Sequence, residues 1–380
     1  MERIYLDYSA TTPLKKEVLD EMTPYFTEYF GNANSLHSFG REAVRALDDA
    51  RDKIAFLIGA KPNEIYFTSG GTEADNWAII GAVKANADKG KHFIVSPIEH
   101  PAVISSAKRL ADDGFDLSFM QVGADGIVDV NFFKSQLKKD TSLVCCMMAN
   151  NEIGTIQPID KIVSLAKDNG SLVFTDAVQA IGSLDIGVKK LGVDMLSFSA
   201  HKFYGPKGIG CLYVKNGVKI APLVSGGHQE RAKRGGTSNV ALAVGMAKAL
   251  EIAVKNKQKS NQSILLARDA FIDRVKNGLD NAVLNGSLQN RLVNNAHFTF
   301  KGVSGEALLY NLDLKGVCAS NGSACSSGTV EPSPVLKAIG LSDSDAKSSV
   351  RFSFGEEVSV TDAIKAGDIV VNAVKFLLDK

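Results

Sequence analysis

Asp176 and Lys202 each stand just beyond a short apolar run, SLVFT before the aspartate and MLSFS before the lysine. In open α/β sheets, ligands collect past the carboxyl ends of the strands. Ser199 and His201 crowd the same turn as Lys202. A lysine so placed can condense with an aldehyde. An acid facing it can keep a pyridine nitrogen protonated, so that the ring accepts electrons. Pyridoxal phosphate (PLP) makes both demands. Gln179, three positions after Asp176, can donate a hydrogen bond to the phenolic oxygen of such a ring.

Two further stretches suit the same ligand. SGGTEADNWAII (69–80) follows the run EIYFT and opens a helix. Gly70 and Gly71 permit close backbone approach, Thr72 offers a hydroxyl, and the helix N-terminus presents free N–H groups to an anion. The stretch matches neither the P-loop nor the dinucleotide fingerprint, and Gly-Gly-Thr is also an ordinary turn and helix start. His100, in SPIEHPAV beyond the run HFIVS, can stack on a ring and exchange protons with a substrate. Of the five cysteines, Cys145, Cys146, Cys211 and Cys318 fall in apolar, strand-like runs and read as small structural hydrophobes. Cys325 alone lies in a polar stretch of small residues, SNGSACSSGTVEPS (320–333), expected to be a mobile loop.

These residues need a frame. Strands are expected at 64–68, 92–96, 115–120, 142–148, 171–175, 195–199 and 209–214, several of them apolar without alternation, as in strands covered on both faces. Helices are expected between them at 72–87, 102–113 and 159–169. An earlier helix at 40–58 carries Val44, Leu47, Ile54 and Ile58 on a helical period and stops at Gly59. Alternating strand and helix predicts a mostly parallel, doubly wound seven-stranded sheet. After a long helical segment at about 240–278, the texture changes to a smaller α+β unit ending in a helix at 361–378. The boundary is set near 255. The large domain is then 14–255, and the small one comprises 1–13 with 256–380.

Bulk properties limit the classes. A chain of 380 residues is long for one core, so two domains are the default. Lys+Arg is 43 against Asp+Glu 42, which gives no bulk reason to expect nucleic-acid or membrane-surface binding. MERIYLDYSATTP lacks the pattern of a secretory signal, and no run approaches a membrane span. Five cysteines without Cys-x-x-Cys spacing suggest neither a disulfide framework nor a metal site. A cytoplasmic location fits best.

The chain resembles the cysteine desulfurases of the class V aminotransferase superfamily, in the branch tied to iron–sulfur and nitrogenase cluster assembly. The motifs run in family order almost end to end: YLDYSATTP, TSGGTEADN, EHPAV, ANNEIGTIQPI, TDAVQAIG, SAHKFYGPKGIG, RGGTSN, SNGSACSSGTVEPSPVL and SSVRFSFG. The resemblance implies a fold-type-I PLP enzyme and a homodimer. It implies that Lys202 holds PLP, that Asp176 faces the ring nitrogen and Gln179 the phenolic oxygen, and that His100 stacks on the ring. Gly71, Thr72, Ser199 and His201 would hold the phosphate, with Thr237 reaching it from the other subunit. Asn151 would touch cofactor and substrate, and Arg351 would grip the substrate carboxylate, which suits its planar fork.

The implied reaction converts L-cysteine to L-alanine and leaves the sulfur as a persulfide on Cys325. That thiol must visit the substrate and later present its sulfur to an acceptor, either an iron–sulfur scaffold or a tRNA-thiolation protein. Some members continue beyond the helix that follows VRFSFG with a segment for scaffold docking. The chain ends at Lys380, so the resemblance leaves the acceptor open. The alternatives are a selenocysteine lyase or another PLP-dependent aminotransferase-superfamily enzyme. The second needs no nucleophilic cysteine, and the loop around Cys325 speaks against it. A catalytically silent scaffold protein is opposed by the intact set of Lys202, Asp176 and Cys325.

Overall fold

The computed structural model describes residues 3–322 and 331–379. Among the described residues, twelve strands form in chain order: β1 (Ile4–Tyr5), β2 (Ile65–Thr68), β3 (His92–Val95), β4 (Asp116–Phe119), β5 (Thr141–Cys145), β6 (Leu172–Asp176), β7 (Met195–Ser199), β8 (Gly210–Val214), β9 (Ala282–Leu284), β10 (Asn295–Phe300), β11 (Val317–Cys318) and β12 (Ser349–Ser353). Seven of them make the central sheet, in the order β2-β8-β7-β6-β5-β3-β4. β4, β3, β5, β6 and β7 are parallel, while β8 runs antiparallel between β7 and β2. Every residue of β2, β3, β5, β7 and β8 is buried, which explains why these runs show no alternation. The chain is thus the expected fold-type-I α/β architecture.

Two local expectations change. The strand expected over 142–148 ends at Cys145. The backbone continues beside β6 through Cys146 N–H to Phe174 O (3.1 Å) and Met148 N–H to Asp176 O (2.8 Å). The intervening Met147 N–H turns away to Glu99 Oε1, at 2.5 Å. In the helix Ser38–Ile58, Leu47, Ile54 and Ile58 are buried, but Val44 faces outward with Phe56. The helix ends at Gly59, whose φ of 72° is the left-handed stop that glycine accepts freely.

The helix Val240–Gly278 is a single element of 39 residues, capped by Asn239 Oδ1 accepting from Leu242 N–H at 3.1 Å. Its first three turns bury Ala243, Met246 and Leu250 with the sheet-covering core. Its last three bury Ala267, Phe271 and Val275 with Phe298, Phe300 and Phe352 of the second sheet, β12-β10-β9. The polar run KNKQKSNQS lies between these two buried stretches. Ile4, Leu6 and Tyr8 also join the second core. β1 pairs with β11, so the N-terminal strand belongs to that end of the molecule. No helix among the described residues is long and apolar enough to cross a membrane.

Candidate functional site

Four strand ends deliver the chemistry. β6 ends on Asp176, β7 ends on Ser199, and the turn Ala200–Lys202 follows β7 at once. That turn is tight: Phe203 N–H and Gly205 N–H both donate to Ala200 O, and Tyr204 between them takes a left-handed φ of 65°. Thr12 holds this strained residue by accepting from Tyr204 N–H at 2.8 Å. Beyond β3, His100 caps the helix Pro101–Asp112, its Nδ1 accepting from Ala102 N–H at 3.2 Å. Beyond β2, the helix Gly71–Ala85 starts at the cavity.

Gly71, Thr72, His100, Asn151, Asp176, Gln179, Ser199, His201, Lys202 and Arg351 all line one cavity of about 180 Å³. Thr237 does not. It is exposed and borders a separate recess with Ser69, Arg234 and Gly236. Cys325 lies outside the described residues, as do all of 323–330. Cys145, Cys146 and Cys211 are buried, and burial pushes their thiols upward. Cys318 is only half-buried, with Sγ 3.9 Å from Asp313 Oδ1.

The N-terminal segment closes the site, a role that the sequence reading did not assign to it. Lys202 Nζ donates to Ser9 O (2.6 Å) and Ala10 O (2.8 Å). Gln179 Nε2 donates to Ser9 O at 3.1 Å, and His201 Nδ1 lies 3.2 Å from Thr11 Oγ1. The motif YLDYSATTP was visible in the sequence. However, backbone carbonyls carry the Lys202 and Gln179 contacts, and residue identity does not reveal them.

Burial sets the protonation states. Asp176 is pushed up to about 6 by desolvation, while Val178 N–H and the Lys202 charge pull it back. Two carboxyls that the sequence reading missed stand close by. Asp75, which accepts from Ser197 Oγ at 2.5 Å, rises well above the carboxylate range through burial and then through the Asp176 charge. Glu99 rises likewise through burial. Burial thus favours the neutral form of Asp75 and Glu99, while the Lys202 charge and the Val178 N–H favour the ionised form of Asp176. His100 is lowered to about 4 by burial and the Lys202 charge, so its ring is neutral at pH 7. With Nδ1 accepting from Ala102, its proton sits on Nε2. His201 is also lowered to about 4 by burial and nearby lysines.

These residues fit PLP. A Cβ on Gly71 would meet Val178 Cγ2 at 3.0 Å and Ser199 Cβ at 3.7 Å, so only glycine leaves the cradle open beside the helix N-terminus. Gly210 is equally constrained, because its Cβ would fall 2.5 Å from the Gly70 carbonyl carbon. The anion cradle, the ionised Asp176 and the Lys202 amine share one cavity, and they supply complementary groups for phosphate, pyridinium and aldehyde. Among the described residues no cluster is arranged to hold a metal ion.

Arg351, on β12, is 1% exposed. Its Nη2 donates to Asp7 Oδ1 and its Nη1 to Asn151 O, both at 2.8 Å. Its Nε is buried without a hydrogen-bond partner.

Comparison with known proteins shows the family to which the chain belongs. The sequence model of the aminotransferase class-V family matches residues 4–363. A cysteine desulfurase IscS of Dictyoglomus turgidum is 50% identical over 352 residues, 93% of this chain and 89% of that protein. One from Clostridium botulinum is 46% identical over 376 residues, 98% of this chain and 95% of that protein. Among solved structures, a NifS-like protein superposes with a TM-score of 0.93 at 35% identity, covering 99% of this chain and 100% of its own. SspA in complex with cysteine superposes with a TM-score of 0.82 at 35% identity, covering 93% of this chain and 99% of its own.

Proposed function

We propose, for a chain that belongs to the class-V aminotransferase family and within it to the cysteine desulfurases, how its own residues divide the work of this PLP-dependent enzyme. Lys202 carries the cofactor, Asp176 holds the ring-nitrogen proton, and Gln179 faces the phenolic oxygen. Gly71, Thr72, Ser199 and His201 hold the phosphate, and Thr237 reaches it from a second copy of the chain. PLP supplies the electron sink that labilises bonds at the substrate α-carbon. Arg351 and Asn151 orient the carboxylate of L-cysteine. Lys202 Nζ, once released from the cofactor by the substrate amine, would take the α-proton, and neutral His100 would keep Nε2–H available as a proton donor. The Cys325 thiolate attacks the substrate sulfur. The new S–S bond forms as the Cβ–S bond breaks with its electron pair toward carbon, and a proton delivered to Cβ together with the proton returned to Cα completes alanine.

The observation that carries this reading is that Lys202, Asp176, His100 and Arg351 line one cavity from four separate elements. Exposed Phe30, Leu36 and Phe39 support the homodimer, since monomers seldom leave such residues clustered in water. The burial of Ile4, Leu6 and Tyr8 with Phe298 supports the division into 14–255 and 1–13 with 256–380. An iron–sulfur scaffold or a tRNA-thiolation protein in the cytoplasm is the proposed acceptor of the sulfur.

The test uses the holoenzyme. After exposure to L-cysteine, mass spectrometry is expected to find one added sulfur on the peptide containing Cys325. Cys325→Ser should stay yellow, should still change its absorbance on adding cysteine, and should release no alanine. Persulfide on Cys318, or full turnover by the serine variant, would reassign the acceptor cysteine.

A further inference from the structure

Arg351 already has a carboxylate on it. Asp7, from the residues that follow β1, accepts from Nη2 at 2.8 Å, and among the described residues this is the only ion pair that Arg351 makes. Glu152 is the other carboxyl close enough to feel the Arg351 charge, but it is turned to accept from Ser333 Oγ at 2.6 Å. The guanidinium is otherwise held by the Asn151 carbonyl, and its buried Nε is left without a partner. One edge of the fork is thus occupied and the Nε edge is buried without a partner, in a residue whose side chain is 2% exposed against 18% for Asp7.

We propose that Asp7 is a positioning residue that orients the Arg351 fork and, by its charge, deliberately weakens the hold on amino-acid carboxylates. A carboxylate bound at the unpartnered edge would share one guanidinium with Asp7. The local sum would then be one cation against two anions, and the anions repel each other whether Asp7 stays in place or is displaced. In the ligand-free protein the same charge compensates a buried cation that would otherwise stand alone. Asp7 therefore stabilises the empty site and loosens the filled one, so the alanine product leaves readily. The inference rests on Arg351 being the carboxylate grip.

The test measures equilibrium binding of L-alanine to the holoenzyme by its absorbance change, together with thermal unfolding with and without alanine. Asp7→Asn keeps an acceptor for Nη2 but removes the charge. It should bind alanine about tenfold more tightly than the wild type. Without alanine it should melt at a lower temperature, and alanine should raise that temperature more than it does for the wild type. Asp7→Glu, which keeps the charge, should bind alanine as weakly as the wild type. Alanine binding that is unchanged or weaker in Asp7→Asn overturns the proposal, as does tighter binding in Asp7→Glu. If Asp7→Asn does not accumulate as folded protein, alanine in the refolding buffer should rescue it, and failure to rescue is equally fatal. Arg351→Gln separates the two levels. If that variant binds alanine like the wild type, the carboxylate grip itself is wrong, whatever Asp7 does.

Discussion

Arg51 and Arg351 are both buried arginines paired with a carboxylate at 2.8 Å, yet they are finished to different degrees. Arg51 meets Glu230 with both fork nitrogens, Nη1 and Nη2, each at 2.8 Å. It also gives Nη1 to Ile65 O and lies 4.8 Å from the centre of the Phe67 ring. Glu230 in turn accepts from Phe67 N–H at 3.1 Å. Arg351 meets Asp7 with one nitrogen and leaves Nε unmatched. The closed network holds Glu230, Arg231 and Ala232 at positive φ values of 44°, 58° and 57°, a strained run that needs a strong anchor. The open one borders the cavity. A saturated buried ion pair fixes the backbone, whereas an unsaturated one keeps capacity for a ligand.

The comparison breaks if the closed pair proves expendable. Glu230→Ala strands the Arg51 charge where water cannot reach it, and it should cost about 3–5 kcal/mol in chemical denaturation. Arg351→Ala strands only Asp7, which is partly solvated and can rehydrate. Its stability loss should be clearly smaller than that of Glu230→Ala. Its cost should fall on cysteine turnover instead, where kcat/KM should drop by the equivalent of about 2–4 kcal/mol, with PLP still bound. Unchanged kinetics with cysteine would remove Arg351 from the site. A stability loss equal to that of Glu230→Ala would make it a second structural pair.

Lys202, Asp176 and Gly71 were legible because their chemistry shows in residue type and in position just past an apolar run. Five strands of the central sheet, β2, β3, β5, β7 and β8, were legible because full burial leaves uninterrupted apolar runs. Asp75 was not, since it sits inside a helix and feels the Asp176 charge only after folding brings the two together. Glu99 sat beside His100 in plain view, but its significance is burial, which no spacing announces. The Ser9 and Ala10 carbonyls on Lys202 carry no side-chain signature. Asp7 was within a quoted motif, yet its pairing with Arg351 spans most of the chain and depends on β1 lying at the far end of the molecule. The left-handed run at Glu230–Ala232 had no glycine to mark it.

His297 offers the finest test, because it lies directly across the sheet from Arg351 in the β10–β12 register. It is fully buried, with Nδ1 3.0 Å from Asn285 Nδ2 and Nε2 unmatched. Burial first, then the charges of Arg351 and Arg291, lower its pKa to about 3. Burial, with the two guanidinium charges beside it, keeps the His297 ring neutral in the fold. The folded pKa is depressed below the unfolded value of 6.5, so the unfolded chain binds the proton first as pH falls. The stability that neutral His297 contributes is complete above pH 6.5. It is lost progressively from there toward pH 3. His297→Gln removes this titration and leaves the other groups in place. Denaturation at pH 7.5 and pH 5.5 should show the wild type losing about 1.4 kcal/mol more than the variant over that interval. Equal losses would mean that His297 accepts a proton inside the fold, against the burial that chiefly keeps it neutral.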